Sequence, residues 1–163
     1  MKVFDKYFYN IFIVISISII LRFFLIDIYG DNDLKYEWKT LFLNLKDNGI
    51  LAYRSFDGKL IPSVYMPPLY IYYIFFIDLL ITEKINLTKA VLFSQIIVSA
   101  LSVYFFYKTN LIIFNKKISL ISSYIFSLFP INIFSSLQIS SITIQIFLNI
   151  FFLYLIIKTI NEK

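Results

Sequence analysis

The chain has 163 residues, of which 60% are hydrophobic and 15% charged, with a mean hydropathy of +0.80 and a formal net charge of +5. A soluble globular domain does not carry that balance, so the sequence reads as an all-α integral membrane protein. It contains no cysteine and no histidine, which excludes disulfides, thiol nucleophiles, histidine triads and the usual zinc or haem ligands.

Acid–base chemistry is therefore left to Asp, Glu, Lys, Arg and Tyr. Only three glycines occur, none in a run that could cradle a nucleotide phosphate, so P-loop and Rossmann sites are excluded and no cofactor is expected. The lysines are scattered between apolar segments rather than gathered on one face. That pattern points to orientation in a lipid bilayer, not to nucleic acid.

A basic head, Met1 to Lys6, precedes an uncharged run from Tyr7 to Leu21, then Arg22 and Phe23 to Ile26. About 20 residues suffice to cross a hydrocarbon core of about 30 Å. No small-x-small site follows, so residues 1–27 read as an uncleaved first span with a cytoplasmic N-terminus, in an inner or plasma membrane. Arg22 sits roughly a turn below the outer end. Its stem can snorkel to the interface, or its cation can face a phosphate group.

Residues 28–88 read as an external loop holding most of the acidic side chains and three of the four prolines. After Asp31 and Asp33, the apolar residues Leu34, Trp38, Leu41, Phe42 and Leu45 fall at helical spacing, with Lys35, Glu37, Lys39, Thr40, Asn44 and Lys46 opposite. The spacing predicts an amphipathic helix lying in the interface, with Asp31 or Asp33 available as its N-cap and Asn48-Gly49 as its stop. Ala52 to Pro62 predicts a hairpin around Asp57-Gly58, a type I′ signal.

Pro67-Pro68 then opens a short apolar run, Leu69 to Ile81, which carries Asp78. Were this run to cross, Lys108, Lys116, Lys117, Lys158 and Lys163 would lie outside and Glu83, Lys84 and Lys89 inside. Re-entry instead puts those five lysines inside with Lys2 and Lys6, as the positive-inside rule requires. The run is therefore expected to be a half-membrane helix.

Residues 89–163 give three further spans, at about Lys89 to Tyr107, Ile118 to Ser135 with a bend or end at Pro130, and Ser140 to Ile157. Gln95, Ser99 and Ser102 form one stripe, and Gln145 and Asn149 lie one turn apart, as side chains that pack helices do. The expected architecture is a single membrane domain, 1–163, of about four transmembrane helices plus an interfacial helix and a half-membrane helix. The chain shows no internal repeat and is too short for the paired halves of a transporter.

Taken in order, Arg22, Asp33 (with Asp31 as the other candidate), Asn44-Leu45, Gly49, Pro67-Pro68-Leu69-Tyr70, the basic stretch Lys108 to Lys117 and Phe129-Pro130 resemble the N-terminal part of polytopic GT-C glycosyltransferases. The likeness is to the glycosyltransferase 39-like group, which includes protein O-mannosyltransferases and lipid A aminoarabinose transferases. It covers nearly all of this chain and about the first third of a typical member. Met66 stands where some members carry a lysine, and Ser140 to Gln145 stand where an acidic residue would be expected.

The resemblance implies a glycosyltransferase that uses a polyprenyl-phosphate sugar donor and transfers the sugar to an acceptor at the outer membrane face, as part of a longer chain. Asp33 or Asp31 would be the catalytic base. Arg22 and Arg54 would stabilise the leaving phosphate, and Tyr36, Trp38, Tyr65 and Tyr70 would face the sugar, with Pro67 and Pro68 shaping the site. For the acidic pair the plain alternative is helix capping and solvation; for the aromatic residues it is anchoring at the interface. A reading from another class is a small non-catalytic membrane protein, an accessory or lipid-carrier-binding subunit.

Overall fold

The computed structural model describes residues 2–34, 36–55, 57–63, 65–82 and 84–162, with side chains from Ile11 onward. Lys35, Glu83, Lys163 and the side chains of Lys2 and Lys6, which entered the amphipathic pattern and the charge argument, lie outside the described residues. The element order is α1 (Lys2–Tyr29), α2 (Tyr36–Asn48), β1 (Ala52–Arg54), β2 (Leu60–Pro62), α3 (Pro68–Leu80), α4 (Leu87–Ile113), α5 (Lys116–Leu128), α6 (Pro130–Ser135) and α7 (Ile142–Asn161).

Among the described residues three helices are long and apolar enough to cross a membrane: Ile11–Tyr29 of α1, the 27-residue α4 and the 20-residue α7. The stretch expected as a further span is divided. Phe129 is extended (φ −64°, ψ 122°) and Pro130 starts α6, so α5 stops after 13 residues and α6 runs for six. The physical cause is Pro130, which has no N–H to donate back and disfavours helical backbone at the residue before it.

The bundle is apolar outside and polar within. Phe24, Ile28, Ile125 and Ile160 are exposed, whereas Ser18, Arg22, Gln95, Ser119, Ser123 and Ser136 are buried. Small hydroxyl residues let helix backbones approach closely where no water must be expelled to join them. Ile11 and Val14 of α1 meet Val103 and Tyr107 of α4, with Leu120 and Tyr124 of α5 against them. Along α7, Phe147, Phe151 and Tyr154 surround Phe105 of α4.

Lys108 and Lys158 line one shallow cleft, and Lys116 and Lys117 open α5 just past the end of α4, so these lysines share one end of the bundle. The α2–hairpin–α3 segment sits at the other end. There α3 runs back along the first turns of α4: the Tyr70 hydroxyl donates to Gln95 Oε1, Tyr73 bonds Ser94, and Ile74 joins Val91 and Leu92 in a core with Phe42 and Ile139. Thirteen residues give α3 a length of only about 20 Å.

The amphipathic helix forms, but its apolar face is used within the protein. Leu41 and Leu45 pack on Ile71 of α3, Asn44 Nδ2 donates to the Ala52 carbonyl at 2.6 Å, and Lys46 pairs with Asp78 at 2.7 Å. Asp78, an isolated charge in an apolar run, is thus the clip between α2 and α3. In the hairpin, Ala52 pairs with Pro62, Tyr53 with Ile61 and Arg54 with Leu60. Ser55 N–H bonds the Lys59 carbonyl at 2.9 Å, which makes the loop three residues, 56–58, with Gly58 at φ 82°. A type I′ turn needs positive φ at both central residues, and Asp57 does not supply it.

Candidate functional site

The acidic loop is built from the end of α1. Gly30 N–H bonds the Ile26 carbonyl at 2.8 Å, and a Cβ on Gly30 would lie 2.3 Å from that same oxygen, so only glycine fits where the chain leaves the helix. Asp31 follows and is tied to the α6–α7 link. Its N–H donates to the Leu137 carbonyl at 3.2 Å and its Oδ2 accepts the Ile139 N–H at 2.8 Å, while Gln138 Nε2 donates to the Tyr29 carbonyl at 2.6 Å.

Asp33 is arranged differently. It is exposed, makes no hydrogen bond to a described residue, and lines an open cleft of about 250 Å³ together with Leu34, Lys39, Phe42, Asn86 and Thr88. One of the two aspartates is a latch and the other is available. Neither sits at the capping position of α2, which begins at Tyr36 in the left-handed region (φ 49°), a conformation uncommon for an aromatic residue.

Arg22 is 1% exposed, so it does not snorkel: the bundle encloses it. Its Nε donates to Ser136 Oγ at 3.1 Å, and its Nη1 to the Ser18 carbonyl at 3.1 Å, Ser18 Oγ and the Ser127 carbonyl at 3.3 Å. Nη2 is buried without a partner among the described residues. The guanidinium joins α1, α5 and the α6–α7 link, seven residues or about 10 Å of helix below Tyr29.

The remaining expected site residues do not converge on one place. Tyr70 is 1% exposed, with its hydroxyl committed to Gln95 and the edge of Trp38 against its ring at 4.8 Å. It is a core residue because its face of α3 is the one turned to α4. Trp38 is half-buried in the same contact. Tyr36 and Tyr65 are each 81% exposed, and Arg54 is exposed on the hairpin. Pro67 and Pro68 serve as N-cap and first residue of α3, where a missing N–H costs nothing.

The Tyr53 hydroxyl is buried without a bond to a described residue, and burial raises its pKa, with Glu37 and Tyr65 adding to the shift. Three polar residues of the Asp33 cleft, Lys39, Asn86 and Thr88, carry no sequence signal of their own, since they come from two helices separated by α3. Among the described residues no group of acidic side chains is arranged to hold a metal ion. No family model, curated protein or solved structure matches this chain.

Proposed function

We propose that this chain is a membrane glycosyltransferase, or the N-terminal part of one, that takes its sugar from a polyprenyl-phosphate donor and uses Asp33 as the general base. The observation that carries the reading is the cleft: an exposed carboxylate with no bond to a described residue, in a cleft also lined by Lys39, at the end of the bundle away from Lys108, Lys116, Lys117 and Lys158. The ordered set from Arg22 to Pro130 supports it. An apolar groove of about 260 Å³, lined by Leu25, Tyr29, Pro130, Ile133, Phe134 and Leu137, opens on the same half of the bundle and suits an isoprenoid tail.

In the reaction, the acceptor hydroxyl oxygen bonds to the anomeric carbon as the bond from that carbon to the phosphate oxygen breaks. The hydroxyl proton passes to the Asp33 carboxylate, and the polyprenyl phosphate leaves with the bonding electron pair. Asp31 and Arg22 act at one remove, by fixing the exit of α1 from which Asp33 is displayed. In this reading α1, α4 and α7 cross the membrane, α5 with α6 makes the fourth crossing, and α3 enters and returns, leaving the lysine end cytoplasmic and the cleft external.

Asp33→Asn in the full chain is expected to lower sugar transfer by about 10²–10⁴ while leaving thermal stability unchanged, because the carboxylate has no bond to lose. Transfer at the wild-type rate would overturn the assignment. A chain that binds a prenyl phosphate yet shows no transfer in any context would instead be the non-catalytic lipid-carrier-binding subunit. The topology is tested separately: single cysteines at 57 and 84, but not at 116, should react with an impermeant thiol reagent in intact cells. Labelling at 116 without labelling at 84 would show that α3 crosses.

A further inference from the structure

We propose that the cleft between α2 and the start of α4 binds a phosphate group, held by the Lys39 ammonium, the Thr88 hydroxyl and the backbone N–H groups of Leu87 and Thr88. The proposal rests on the glycosyltransferase reading for its choice of ligand, a prenyl monophosphate, and it moves the phosphate contact away from Arg22 and Arg54.

Three observations converge. Asn86 caps α4 by accepting the Lys89 N–H at 3.1 Å on its side chain and the Ala90 N–H at 3.0 Å on its carbonyl, and the Leu87 and Thr88 N–H groups make no bond to a described residue at the positive end of a 27-residue helix. Thr88 is only 5% exposed, lines the cleft, and its hydroxyl bonds to no described residue. Its side chain is thus almost wholly covered while its unbonded hydroxyl is not sealed off, which leaves that hydroxyl able to bond a group in the cleft. Lys39 is the cation lining the same cleft and forms no ion pair with a described residue.

The cations expected from sequence are poorly placed by comparison. Arg22 makes four donor contacts in the Ser18, Ser127 and Ser136 net and is enclosed by helices, and Arg54 belongs to the hairpin, none of whose described residues lines the cleft. Asp33 shares the cleft with Lys39, so a bound phosphate must lie toward α4, with Asp33 left facing the acceptor hydroxyl. That is the order the transfer needs: base, anomeric carbon, leaving phosphate.

The test uses the full chain in detergent, with Trp38 as the reporter, since it is the single tryptophan and lies next to Lys39. Citronellyl phosphate, inorganic phosphate and citronellol are titrated against its fluorescence. Saturable binding of citronellyl phosphate is expected, weakened about tenfold or more by Lys39→Gln and by Thr88→Val, and retained in Lys39→Arg, Thr88→Ser and the surface control Lys89→Gln. Binding of inorganic phosphate with equal affinity would identify a free phosphate as the ligand; a requirement for the prenyl chain would identify a lipid headgroup. Equal binding of citronellol, or unchanged affinity in correctly folded Lys39→Gln and Thr88→Val, overturns the site. If transfer depends on Asp33 but not on Lys39 or Thr88, the phosphate site falls and the transferase reading stands; if Lys39 and Thr88 govern binding but no transfer occurs, the reverse holds.

Discussion

The buried net around Arg22 and the open cleft around Asp33 are the two polar regions of this molecule that invite comparison. One lies inside the apolar bundle and the other at its end, and they differ in what their polar atoms touch. Arg22 spends its Nε and Nη1 on Ser18, Ser127 and Ser136, and joins three segments distant in the chain. Asp33 and Lys39 make no hydrogen bond or ion pair with a described residue and line an open volume. A charged side chain in such a bundle is expensive wherever it stands, so the question is what offsets the cost. In the first region it is internal hydrogen bonding, which is structure. In the second it is solvent or a ligand, which is where chemistry can occur.

The largest expected difference in stability lies in the net. Arg22→Lys keeps the charge but loses the planar fork, and one ammonium cannot serve Ser136 on one side and Ser127 on the other. A loss of about 2 kcal/mol in unfolding free energy is expected, read as a lower melting temperature in detergent. Asp33→Asn should show none of it. A destabilised Asp33→Asn protein would dissolve the distinction between the two regions.

Asp31 sharpens the comparison because it stands two residues from Asp33 and is tied to the same α6–α7 link that supplies Ser136 to Arg22. Asp31→Ala removes the acceptor of the Ile139 N–H and should cost about 1–2 kcal/mol. Asp31→Asn keeps an acceptor oxygen and should cost a few tenths of that. If Asp31→Asn abolished transfer while Asp33→Asn did not, the catalytic assignment would pass to Asp31.

The smallest effect is expected in the hairpin, which belongs to neither region. The Ser55 hydroxyl, and then the Lys59 N–H, hold the Asp57 carboxyl below its ordinary pKa. A lowered folded-state pKa adds stability above the unfolded carboxylate value, and that increment is lost as the pH falls through the folded one. Proteolysis at the turn should therefore increase slightly on acidification below about pH 4, and Asp57→Ala should remove that dependence.

Local structure was legible in the residues to a large extent. The amphipathic period of Trp38, Leu41, Phe42 and Leu45, the turn signal at Asp57-Gly58, the Pro67-Pro68 start and the break at Pro130 each act through neighbours in the chain, by sterics and backbone hydrogen bonding, and each appears within a few residues of its expected place. What α2 does with its apolar face was not legible. The same stripe serves a lipid interface or a helix such as α3, and only the packing of Leu41 and Leu45 on Ile71 decides between them.

The same limit governs the polar residues. Sequence alone established that chemistry in this protein falls to carboxylates, ammonium groups, guanidinium groups and phenols, and that Asp31 and Asp33 were the acids to consider. It could not separate them, because Asp31 is distinguished by contacts made more than a hundred residues away, with Leu137 and Ile139. Nor could it join Lys39 to Thr88, which are brought to one cleft by α3 folding back along α4. Composition limits which groups can act; tertiary structure decides which of them are already occupied, because a hydrogen-bonding atom satisfied inside the fold is no longer available to a ligand.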